Sequence, residues 1–178
     1  LSKAEGDELS VDDTRGLIAH QRGFASWVEF ARSVTGRGGR ARNWNLPLYR
    51  IEGPHRTLHV RHSLEDWEWD EILSVMADQK IASLDAGGQL TDRVLARLGE
   101  LPHISQLNFG GTKRVTDDGL AHLARLQRLQ ELDLSDYPGG QITDPGLAVL
   151  RHLPELRRFQ MCWQSAITDA GVANLRFC

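Results

Sequence analysis

Four aspartates recur in one context: Leu90-Thr91-Asp92, Val115-Thr116-Asp117, Ile142-Thr143-Asp144 and Ile167-Thr168-Asp169. Carboxylates in register invite a catalytic reading. A threonine and an aspartate ahead of an apolar helical stretch do something plainer: their oxygens accept the free N–H groups of a first helical turn. Pro145 fits the same place, where a missing donor costs nothing. The motif therefore reads as a helix cap without catalytic role.

Other candidates for chemistry are weaker. His55, His59 and His62 invite a metal, but the spacing is loose. His59 alternates with Leu58 and Val60 on a strand, and no cysteine or clustered carboxylate completes a tetrahedral set. No metal or cofactor is expected. The chain has no GxSxG, HExxH or P-loop pattern. Gly36-Arg-Gly-Gly39 lacks the strand and helix that flank a phosphate cradle and reads as a linker. Glu65-Asp-Trp-Glu-Trp-Asp-Glu71 reads as an acidic first helical turn, favourable against the helix dipole, with its tryptophans wedged into the cap. Nothing here assembles an enzyme's active constellation.

These residues must be positioned by a chain of 178 residues, 40% hydrophobic, which is enough to bury a core. A net charge of -3 argues against a globally basic nucleic-acid binder and leaves room for local patches. Charge is uneven: Arg32 to Arg61 holds seven arginines and one acid, and Glu65 to Asp78 holds six acids, which could neutralise the arginines internally. With Trp44 and Tyr49 among them, those arginines are the best case for nucleic acid, since phosphates need cations and bases stack on rings. No apolar run approaches the roughly 18 residues of a membrane helix. With two cysteines outside any CxxC pair, a cytoplasmic protein is expected.

In chain order, residues 1–36 read as a helical hairpin, its second helix carrying Trp27, Phe30, Ala31 and Val34 on one face. Its Gly23-Phe-Ala-Ser-Trp27 resembles a segment near the N-terminus of some bacterial ankyrin-repeat proteins, a likeness that implies no activity. Residues 37–80 read as a basic linker and cap: Pro47–Ile51 and Thr57–Arg61 alternate like two strands around a turn, and a helix follows over Trp67–Met76. Residues 81–178 divide into four repeats, 81–103, 104–128, 129–155 and 156–178. Their lengths lie in the roughly 20–29 residues of leucine-rich repeats.

The pattern Leu-x-x-Leu-x-Leu, spacer, Ile-Thr-Asp-x-Gly-Leu-x-x-Leu resembles the cysteine-containing leucine-rich repeats of F-box proteins and their bacterial relatives. The usual Cys or Asn after the strand is Thr112, Tyr137 or Gln164 here, and no F-box precedes the repeats. The resemblance implies an α/β fold: a short right-handed solenoid with a parallel sheet on the concave side and helices outside.

Stacking would make core ladders of Leu84, Leu107, Leu132 and Phe159 and of Leu95, Leu120, Leu147 and Val172. The period of two then turns Ser83, Gln106, Glu131 and Arg158 outward in one row, and Asp85, Asn108, Asp133 and Gln160 in the next. The expected partner surface is Gln106, Asn108, Glu131, Asp133, Tyr137, Arg158, Gln160 and Trp163. Arg, Tyr and Trp are the types that dominate interface energies. The expected function is a non-catalytic scaffold that binds a protein. The alternative is nucleic-acid contact through residues 32–61. The last repeat carries no polar terminal cap after Leu175-Arg-Phe-Cys178, so either further repeats follow or this edge self-associates.

Overall fold

The computed structural model describes residues 47–61, 63–135, 140–162 and 164–178. The expected helical hairpin, the arginines from Arg32 to Arg42, His62, Tyr137 and Trp163 lie outside the described residues. Pro47–Cys178 forms one compact unit.

Its sheet has six strands, in spatial order identical to chain order. Strands β1 (Tyr49–Glu52) and β2 (Thr57–Val60) form the antiparallel hairpin predicted by their alternation, turning at Gly53 and Arg56, both with positive φ. From β2 onward all pairing is parallel: β3 (Ser83–Asp85), β4 (Gln106–Asn108), β5 (Glu131–Asp133) and β6 (Arg158–Gln160). Helical segments connect them. Helix α1 (Asp66–Asp78) starts in a capping box of Glu65 and Glu68, followed by α2 (Asp92–Leu98), α3 (Asp117–Ala121) and α4 (Asp169–Val172). Three 3-10 helices, His122–Arg125, Gly146–His152 and Ala173–Phe177, complete the connections.

Parallel strands cannot be joined by tight turns, so each connection crosses behind the sheet and buries an apolar stripe against it. The middle residue of each strand supplies the sheet's side of the core. Leu58, Leu84, Leu107 and Leu132 are buried and registered on one another. Opposite them lie Leu95, Leu120 and Leu147, fully enclosed. The expected ladders weaken at the last segment. Phe159 is half-buried and Val172 is 42% exposed, because among the described residues nothing packs beyond them. Trp69 is core rather than a wedge in the helix cap.

Two hydrogen-bond series tie each segment to the next. In the backbone, the Ala82 carbonyl accepts from the amides of Ser105 and Gln106. Ser105 does the same for Gln130 and Glu131, and Gln130 for Arg157 and Arg158, all at 2.8–3.0 Å. The second series uses the recurrent aspartates. Asp92 accepts the Thr116 amide and hydroxyl at 2.8 and 2.7 Å, and Asp144 accepts those of Thr168 at 2.8 and 2.6 Å. Between them, Asp117 accepts the Thr143 amide at 2.7 Å and its hydroxyl.

This corrects the cap reading in part. The hydroxyls of Thr91 and Thr168 do accept first-turn amides, from Val94 and Ala170, but Thr116 makes no such bond. The aspartates clamp the following segment instead of capping their own. The clamp also accounts for the glycine two residues after each receiving segment's own aspartate. A Cβ on Gly119, Gly146 or Gly171 would overlap the carboxylate of Asp92, Asp117 or Asp144 respectively.

Candidate binding surface

The strand residues that flank the buried leucines face away from the helices in two rows. One runs Thr57, Ser83, Gln106, Glu131, Arg158; the other runs His59, Asp85, Asn108, Asp133, Gln160. The rows line a concavity of about 290 Å³, with the strand backbone at Leu84, Leu107 and Leu132 between them and those side chains turned into the core. Parallel strands about 4.8 Å apart set the spacing along each row. Six of the eight residues expected at a partner surface therefore stand together: Gln106, Asn108, Glu131, Asp133, Arg158 and Gln160. The other two, Tyr137 and Trp163, are outside the described residues.

Neighbouring residues within a row satisfy one another. Arg158 donates to Glu131 at 2.7 Å, so the only arginine of the two rows is already compensated. At the other end His59 Nδ1 lies 3.1 Å from Asp85 Oδ2, and the Thr57 and Ser83 hydroxyls are 2.9 Å apart. Ser83, expected to face solvent, is 5% exposed, because the β1–β2 hairpin and its threonine cover it. Asp133 Oδ1 accepts the Ser135 amide at 2.8 Å, and Asp85 Oδ1 accepts the Gly87 amide at 3.1 Å. These aspartates thus hold the turn that leaves the strand with one oxygen, as Asx residues do, and leave the other on the face.

Thr57 and His59 were missing from the expected rows, and Ser83 and Asp85, expected in those rows, were not among the expected partner residues. The alternation over Thr57–Arg61 held the signal: once β2 joins the parallel sheet, its outward residues extend both rows.

The remaining candidates resolve differently. His55 sits exposed in the β1–β2 turn, apart from His59 in its strand, and among the described residues no three metal-ligating side chains gather. Among the described residues, two acids of α1 pair with arginines other than those of residues 32–61, which the sequence offered as their counter-charges. Asp66 pairs with Arg93 at 2.6 Å and Asp70 with Arg97, both from α2. Of those arginines, Arg50 pairs with Glu52 at 3.3 Å and Arg56 donates to Gln79 at 2.7 Å. At the position after the strand, Thr112 donates to the Phe109 carbonyl at 2.6 Å, and Gln164 reaches the Leu134 carbonyl of the preceding segment at 2.9 Å.

Among the described residues two titrations are displaced. The Thr168 hydroxyl, then its amide, hold Asp144 below the usual carboxylate value. Partial burial pushes the Cys178 thiol up. Both cysteines are free. Among the described residues no helix is long and apolar enough to cross a membrane.

No protein-family profile matches the chain, and no curated protein matches its sequence.

Proposed function

We propose that the chain is a leucine-rich-repeat solenoid that binds a protein on the exposed face of its sheet and carries no catalytic centre. One observation carries the reading: five parallel strands present two continuous outward rows of polar side chains in one concavity. Backbone bonds and clamp side chains that lie off the face hold the segments together, so outward side chains other than those of Asp85 and Asp133, which also hold turns, are free to serve recognition. Interfaces concentrate their energy in a few such well-placed side chains. The free thiols fit a reducing compartment, and we place the protein in the cytoplasm.

Affinity capture from cell lysate tests the reading. Wild type is compared with a form carrying Glu131→Ala, Arg158→Ala and Asp133→Asn; asparagine keeps the acceptor that Ser135 needs. Circular dichroism confirms that both forms are folded. A protein retained by the wild type and lost from the variant supports the face as the site. Equal capture by both removes it.

A further inference from the structure

The edge where helical segments run back into strands carries a charge that the protein-binding face does not explain. Contacts along this edge fix its course: the Gln127 amide donates to the carbonyls of Ala124 at 2.7 Å and His152 at 3.1 Å, and Cys178 Sγ donates to Leu150 at 3.4 Å. Over 125–130, 151–157 and 176–178 there are five arginines and one acid, Glu155, in a chain whose net charge is -3. All five arginines are exposed. Glu155 itself accepts from Gln130 at 3.3 Å.

None of these five arginines makes an ion pair among the described residues, whereas Arg50, Arg93, Arg97 and Arg158 each meet a carboxylate. Two of the five are also held in place. The guanidiniums of Arg151 and Arg176 lie 4.9 and 4.7 Å from the centre of the Phe177 ring, and Arg151 Nε donates to the buried Asn174 at 2.7 Å. Two like charges fixed on one ring repel each other until an anion lies against them. The ring is 47% exposed. Its place, last in a 3-10 helix, is exposed in both preceding segments too, at Arg125 and His152, each with a following segment packed beside it.

We infer that this edge binds single-stranded nucleic acid, its phosphates gripped by arginines from three successive segments. Strand spacing puts the outer two segments about 10 Å apart, a span of two or three phosphates. Flat guanidiniums backed by an aromatic ring favour nucleic acid over an acidic peptide, because bases stack on such planes and carboxylates do not need them.

The test is fluorescence polarisation of a labelled 15-nucleotide deoxythymidine strand with the full chain. Saturable binding is expected at about 50 mM salt. Three neutralised phosphates predict an affinity about 20-fold lower at about 200 mM. A form with Arg125, Arg128 and Arg157 each changed to Gln keeps the side-chain stems and is expected to lose at least about tenfold. Phe177→Ala is expected to lose about tenfold with circular dichroism unchanged. Three results overturn the inference. The strand fails to bind at 50 mM; binding survives the triple Gln form and disappears on changing Arg37, Arg40 and Arg42 to Ala; or polyglutamate of equal charge displaces the strand as well as unlabelled deoxythymidine does.

Discussion

Replacing Asp117 by Ala should loosen the chain far more than its place in a polar turn suggests. The carboxylate accepts both the amide and the hydroxyl of Thr143, 26 residues on, and Thr143 is only partly exposed. Hydrogen bonds to an ionised group contribute about 1.5–3 kcal/mol each, and partial solvation takes these two to the lower end. Their joint loss comes to about 2–3 kcal/mol, or about 10 °C in the unfolding midpoint of a unit this size.

Gly146→Ala should cost a similar amount, because its new methyl would occupy the space of the same carboxylate. The two effects must not add. With Asp117 already Ala, the carboxylate is gone, and the methyl meets chiefly the residue 117 Cα at 3.2 Å, a crowding of a few tenths of an ångström. Gly146→Ala should then cost under about 1 kcal/mol, part of it returned by alanine's better helix propensity. Thermal and urea unfolding followed by circular dichroism measure both arms. Asp118→Ala serves as control, since Asp118 is exposed in the same turn and opposes the same helix dipole. Equal costs for Gly146→Ala in the two backgrounds, or equal costs for Asp117→Ala and Asp118→Ala, would refute the clamp.

Three further outcomes are expected. Asp144 is held below its ordinary value of 3.8 by Thr168, so its contribution is complete above about pH 4 and is lost as pH falls through the folded-state value. Asp144→Asn should lower the midpoint at pH 7 and flatten its decline below pH 4 in a melting series. Asp133→Ala should cost about 1 kcal/mol through the Ser135 amide, whereas Asp133→Asn should be near neutral; urea midpoints compare them. Cys178, its thiol pushed up by burial, should react slowly with iodoacetamide at pH 7.5 and accelerate as pH rises past the usual thiol range, followed by peptide mass spectrometry.

The register of the sheet was legible in the sequence because its signal is local and repeated. The apolar residue between each pair of polar ones sets which residues turn outward, and the distance between copies sets which outward residues meet. That is why Gln106, Glu131 and Arg158 align as expected, and why Asn108, Asp133 and Gln160 do. What stayed hidden depends on partners 24–27 residues away. The Thr–Asp phrase looks like a cap when read within one turn, yet its carboxylate binds the next copy. Arg158 looks like a free anchor until β5 brings Glu131 beside it. Asp66 and Asp70 look like counter-charges for the arginines just upstream, but helix packing gives them Arg93 and Arg97.

The clamp also explains how the charges come to be divided between edges. Aspartates must stand where strands lead into helices, because only there do the next segment's threonine amide and hydroxyl come within reach. Negative charge at helix starts is favourable as well, so the same positions satisfy two demands. At the opposite edge, among the described residues, only Arg151 makes a comparable bond, to Asn174. The links there run through backbone carbonyls, Gln127 and Gln130, which would hold equally with neutral neighbours. Acids at one edge are thus accounted for by folding, whereas Arg125, Arg128 and Arg157 at the other are not. Exchanging those three for glutamine should leave the unfolding free energy within about 0.5 kcal/mol of wild type, as surface changes without partners do. A larger loss would mean that the arginines hold the fold, and that their charge was never spare for a ligand.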